Sequence, residues 1–196
     1  MCAEGFNRKE KTESTEMEEK KIIEQLLAGY PIYQYSFFQT RDLDINSRVR
    51  EICRTECERY GTSWSCPPAV GTVEECREKI LNYPEGLLFS TVAEVHNILD
   101  MKETLSTRFA HEEITVSVER KMRKNGFDVL TLSSESCAIC SSCAYPGAPC
   151  RHPDRMHPCI ESHGIVVSSL VEKLKMDYYL GEQILLWFSL ILFRKR

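Results

Sequence analysis

Apolar positions along the chain alternate between helical and extended spacing, and the switches mark its elements. From Glu16 to Ala28, Ile22, Ile23, Leu26 and Leu27 share one helical face, and Gly29 with Tyr30-Pro31 stops the run. Ile32 to Gln39 is rich in aromatics and predicts a strand. A helix is predicted from about Ser47 to Tyr60, capped by Asn46 or Ser47 and ended by Gly61. Thr72 with Glu75 three residues later has the form of a capping box opening a short helix. Gly86 to Val95, with Leu87-Leu88-Phe89 at its centre, predicts a buried strand. Asp100 to Lys124 reads as a long helix ended by Gly126, with Met101, Leu105 and Phe109 spaced by four. The alternation Ile114-Thr115-Val116-Ser117-Val118 predicts a possible break near Glu112, and His111, among charged neighbours, is expected at the surface. Phe127 to Leu132 is a short strand, Gly164 to Met176 a helix, and Ile184 to Phe193 the longest apolar run. A bilayer-spanning helix needs about twenty apolar residues, so that last run predicts a buried strand and no membrane span.

Helices therefore interleave with about four strands. The expectation is an α/β (α+β) sandwich with helices on one or both sheet faces and two cysteine-rich metal loops. A polar tail over residues 1–15 is expected to be disordered, leaving 16–196 as a single metal-binding domain. A chain of this length buries roughly 70% of its unfolded surface, so it needs no metal merely to have a core. Composition is ordinary for a globular protein, at 42% hydrophobic and 28% charged. The net charge of -4 gives no reason to expect a nucleic-acid partner.

The ten cysteines change the picture. The first residues lack the apolar stretch of a secretory signal, so a cytoplasmic location and reduced thiols are expected. Clustered reduced cysteines then read as metal ligands. Cys137, Cys140 and Cys143 are separated by two residues each, and Tyr145 to Pro149 supply turn residues that can bring back Cys150. Three cysteines in a row at that spacing, with a remote fourth, is an iron–sulfur pattern more than a zinc one. A second group comprises Cys53, Cys57 and Cys66, with the first two projecting from one helical face. It lacks a fourth sulfur. Cys76 or Cys159 can supply it, or a histidine among His152, His157 and His163, or one iron is left open to substrate or solvent. Cys2 and Cys76 otherwise read as free thiols. Arg151, directly after Cys150, is placed to tune a negatively charged cluster, and Trp64 beside Cys66 to shield one from water.

No phosphate-cradling glycine loop, metalloprotease His-Glu-x-x-His or nucleophile-elbow serine occurs. Glu161-Ser162-His163-Gly164 offers catalytic residue types but no partner that would make a triad. Two stretches together carry a resemblance. The first is Arg50 to Gly61, then Trp64-Ser65-Cys66-Pro67-Pro68 and Gly71 to Glu75. The second is Cys137, Cys140, Cys143, then Pro149-Cys150-Arg151-His152-Pro153 and Glu161 to Val166. From about residue 30 to the end, this resembles a prokaryotic family of predicted metal-binding proteins (domain of unknown function 2284). The resemblance implies that Cys53, Cys57, Cys66, Cys137, Cys140, Cys143 and Cys150 are the metal-binding set, and it implies no reaction. The spacing departs from a common ferredoxin motif, with six residues before Cys150 rather than three and arginine rather than proline after it.

The leading expectation is an iron–sulfur protein with one or two 4Fe-4S clusters that passes electrons to a redox partner protein. A zinc-stabilised binding module is the first alternative. An enzyme using a cluster with an open iron position is the second.

Overall fold

The computed structural model describes residues 16–196; the predicted tail, with Cys2, lies outside the described residues. The chain runs α1 (16–27), β1 (Gln34–Gln39), α2 (Ser47–Glu56), α3 (Val73–Leu81), β2 (Glu85–Glu94), α4 (Met101–Lys124), β3 (Phe127–Ser133), α5 (Val167–Lys173) and β4 (Ile184–Lys195). The strands form one open antiparallel sheet in the order β1-β2-β4-β3. All four predicted strands are present, and the fold is a mixed α+β sandwich.

The final strand sits inside the sheet, and this explains its long apolar run. Its alternate residues enter two cores. Phe188, Leu190 and Leu192 join Leu88 on one face, under Ile80 of α3 and Leu170 and Val171 of α5. Ile191 and Phe193 join Leu87 and Phe89 on the other, under Ile23 and Leu27 of α1 and Val118 and Met122 of α4. A strand covered on both faces reads as near-continuous apolar, and the one polar residue of the run, Ser189, is buried against His111 and Thr115 of α4. Gly86 marks the closest approach: a Cβ there would lie 2.1 Å from the Phe38 ring, so the β1–β2 pairing needs glycine.

Two helices differ from expectation. α2 ends at Glu56, and Cys57 is already extended (φ -94, ψ 118), so Gly61 closes a following turn rather than the helix. α4 runs unbroken through Ile114–Val118, because its buried face is laid on the sheet at spacings of three and four. His111, Thr115, Val118 and Met122 form that face. Tertiary burial outweighs the modest helix cost of the β-branched residues.

His111 is consequently not at the surface. It is 1% exposed, and its ring bonds the hydroxyls of Thr91 and Ser189, each at 2.8 Å. Burial lowers its pKa to about 4; Arg108 and His157 push the same way, and Glu112 opposes them. The folded state thus holds a neutral imidazole where the unfolded chain takes a proton. Between about pH 6.5 and pH 4 the unfolded state binds more protons, so stability falls as pH falls through that window. The loss amounts to about 3 kcal/mol, at 1.36 kcal/mol per pH unit. Urea denaturation at pH 7 and pH 4.5 checks this, with His111→Gln expected to be less acid-sensitive than wild type. Equal sensitivity of the two proteins would rule the effect out.

Candidate metal centre

The long loop after β3 closes on itself at its base. Ser133 donates its N–H to the Pro158 carbonyl at 3.0 Å, its own carbonyl accepts from Ile160 at 3.0 Å, and Ser133 bridges Cys159. Residues 134–158 are therefore a loop with touching ends, which keeps Cys137 to Cys150 at the end of the sheet. The chain then makes a 3-10 turn, Glu161–His163, onto which α2 docks. Arg50 of α2 donates to the Ser162 carbonyl at 2.6 Å and to the Gly71 carbonyl at 2.7 Å. Asn46, the cap of α2, donates its N–H to the Gly164 carbonyl at 2.7 Å. Gly164 adopts φ 77, and a Cβ there would meet the Asn46 carbonyl at 3.2 Å. These contacts bring the Cys53 end of the chain against the segment after the cysteine loop.

Two hollows result. The first, about 40 Å³, is lined by Cys53, Cys57, Cys66 and Cys159, with Tyr60 and Glu135. Burial pushes the Cys53 and Cys66 thiols up, and the neighbouring Cys57 adds to both. Burial raises the Cys159 thiol well above its ordinary value, with Glu161 adding to it. The Cys159 Sγ donates to Glu161 Oε2 at 2.8 Å. Thiols held protonated by burial and by one another lose those protons when a cation binds.

The second hollow, about 240 Å³, is lined by Cys137, Cys140, Cys143 and Cys150, with Trp64 and Arg151. Trp64 belongs to the Cys66 loop, yet its indole N–H donates to the Ala148 carbonyl at 3.0 Å and its ring meets Tyr145 edge-on at 5.0 Å. Arg151 donates from Nη1 to the Ser142 carbonyl at 2.8 Å, pinning the loop across its width. The His152 N–H points at Cys150 Sγ, 3.4 Å away. Burial raises the Cys137 thiol. At Cys143 a smaller burial effect is overcome by the backbone N–H groups of Tyr145, Trp64 and Ala144, with Arg151 adding, and the thiol falls below its ordinary range. N–H groups aimed at a sulfur stabilise its thiolate, the form that binds metal.

Ser65 ties the two hollows together. Its hydroxyl accepts from the Cys137 N–H at 2.9 Å and lies 3.8 Å from Cys66 Sγ, and its carbonyl accepts from the Cys159 N–H at 3.2 Å. Arg59 and Ser136 line both hollows. The sequence reading missed Ser65, whose role depends on three segments remote along the chain.

The other candidates go elsewhere. Cys76 is fully buried in α3, 3.5 Å from the Val70 carbonyl and from the Arg50 guanidinium, and lines neither hollow. His157 lies buried between Glu112 and Glu119. Its Nε2 is 2.5 Å from Glu119, and the two carboxylates raise its pKa to about 9 against the effect of burial. His163 is buried against Ser162, Nδ1 to Oγ 3.0 Å. His152 lines the second hollow. The nine described cysteines are free thiols, and among the described residues no three His, Cys, Asp or Glu side chains form a ready cage for a single ion. No helix of the described residues is long and apolar enough to cross a membrane.

Neither the curated proteins nor the solved structures provide a match to this chain. A family model does match, over residues 36–193, and that span takes in both cysteine groups, β2 and β3 whole, and most of β1 and β4. The chain belongs to the family described as predicted metal-binding protein (DUF2284).

Proposed function

We propose that this metal-binding protein carries iron–sulfur clusters and passes electrons to a partner enzyme in a reducing, cytoplasmic setting. Its ligands in this reading are Cys53, Cys57, Cys66, Cys137, Cys140, Cys143 and Cys150. The observation that carries it is the second hollow, where four thiols face one space and backbone N–H groups aim at Cys143. An all-sulfur donor set suits iron–sulfur clusters and zinc among biological metals. N–H donors and a nearby arginine set the potential of a cluster. When bound, such a cluster supplies one-electron storage. The chain's own residues hold the thiolates in place, with Trp64 and Tyr145 screening the loop from water and Arg151 offsetting negative charge.

One observation favours zinc at the other site. The first hollow, at about 40 Å³ against about 240 Å³ for the second, is nearer to the needs of a single ion than to those of a cluster. A zinc-stabilised module is the second reading on that account. The two separate on reduction. Protein reconstituted anaerobically with iron and sulfide should show visible absorption that dithionite bleaches and air restores, with an electron paramagnetic resonance signal in the reduced state. A spectrum indifferent to dithionite would favour zinc.

A further inference from the structure

We infer that Cys159 is the fourth ligand of the centre on Cys53, Cys57 and Cys66, so that the chain carries two closed four-thiol centres side by side. The inference rests on the metal-binding reading above and adds a residue to it. Position comes first. Cys159 lines the same small hollow as the other three sulfurs. Its backbone is fixed there from two sides, by the N–H bond to Ser65 beside Cys66 and by the bridge to Ser133 at the end of β3. α2, which carries Cys53, is docked on the turn immediately following.

Competition comes second. Of the residues that can complete the group, Cys76 lies outside the hollow, against Val70 and Arg50. His157 has both ring nitrogens on carboxylates, His163 bonds Ser162, and His152 lines the other hollow. Cys159 offers a thiol whose proton is shared with Glu161 at 2.8 Å. When the metal–sulfur bond forms, that S–H bond breaks and its proton is released. The carboxylate already beside the sulfur is a ready acceptor for it.

The consequence is chemical. A centre with four protein sulfurs has no position for substrate, which is the mark of structural and electron-transfer sites rather than catalytic ones. The open-iron alternative loses its vacancy. Because Arg59 and Ser136 wall both hollows and Ser65 bonds into both cysteine groups, the two centres are neighbours.

The test uses the full chain, reconstituted anaerobically with iron and sulfide and weighed by native mass spectrometry. Wild type is expected to carry two centres, Cys159→Ser one, and Cys76→Ala two. In dithionite-reduced wild type the two paramagnets should broaden each other's resonance, and Cys159→Ser should give a single narrow signal. Cys159→Ser with both centres intact would overturn the inference. Should that variant fail to fold, iodoacetamide footprinting of wild type decides, run at alkaline pH because burial raises the Cys159 thiol well above its ordinary value. Cys159 should be alkylated in the metal-free protein and protected in the loaded one, and equal labelling in both would overturn the inference. Wild type that takes up no iron at all would instead defeat the iron–sulfur reading on which it rests.

Discussion

Cys143→Ala is expected to empty the larger hollow and leave the smaller one loaded, halving the metal bound per chain. Burial raises the Cys143 thiol, but the N–H groups of Tyr145, Trp64 and Ala144, with Arg151 adding, bring it below its ordinary range. It is therefore drawn toward its metal-binding state before any metal arrives. Alanine removes one thiolate of four, and the remaining three cannot fill a tetrahedral or cubane set. Arg151→Ala should act differently. It keeps all four sulfurs but releases the Ser142 carbonyl and withdraws a positive charge, a change of the kind that costs 10–100-fold in affinity. Metal content by elemental analysis, after dialysis against a fixed chelator concentration, separates the two. Full metal content in Cys143→Ala would remove this residue from the ligand set.

His157→Ala is expected to lower folding stability by about 3–5 kcal/mol, the usual cost of breaking a buried ion pair from one side. His157 is the bolt between the end of the cysteine loop and α4. One ring nitrogen meets Glu112 and the other Glu119, and both carboxylates are held below their usual range, burial notwithstanding. Around them Arg108 reaches Glu112 at 3.3 Å and the Ser134 carbonyl at 2.8 Å, and the Ser133 hydroxyl donates to Glu112 at 2.7 Å. Arg123 holds Glu119 at 2.8 Å. Alanine leaves two buried carboxylates short of a partner and frees the chain just before Cys159. At about 2–4 °C per kcal/mol, the melting temperature should drop by roughly 10 °C. Metal affinity should fall with it, because Cys159 and the base of the loop hang from the same contacts. A double-mutant cycle with Glu119→Gln should return a coupling of at least 1 kcal/mol. A single-mutant loss below about 1 kcal/mol would show that the network is not what holds the loop.

How much of this was legible beforehand follows the range of each interaction. The strands were readable because alternation and apolar runs are local, and the Thr72 capping box because it spans three residues and forms as written. The end of α2 was not readable: nothing local requires the backbone to turn at Cys57, and the docking of Arg50 on Ser162 and Gly71 is tertiary. His111 misled because Glu112 and Glu113 follow it along the chain, while the helical face it shares with Thr115, Val118 and Met122 is laid on the sheet. Spacing sorted the cysteines into two groups, and the fold sets each group around its own hollow. Cys159 stood as one of several partners for the short group, because only the closed loop shows which of them reaches that hollow. Ser65 carries no motif, and its place between Cys66, Cys137 and Cys159 exists only in the fold.

The most direct measurement is the iron, acid-labile sulfide and zinc content of protein isolated under strict exclusion of oxygen, taken with its visible spectrum. The account predicts a brown protein with iron and sulfide in equal amounts and little zinc. A colourless protein with stoichiometric zinc and no sulfide would contradict it.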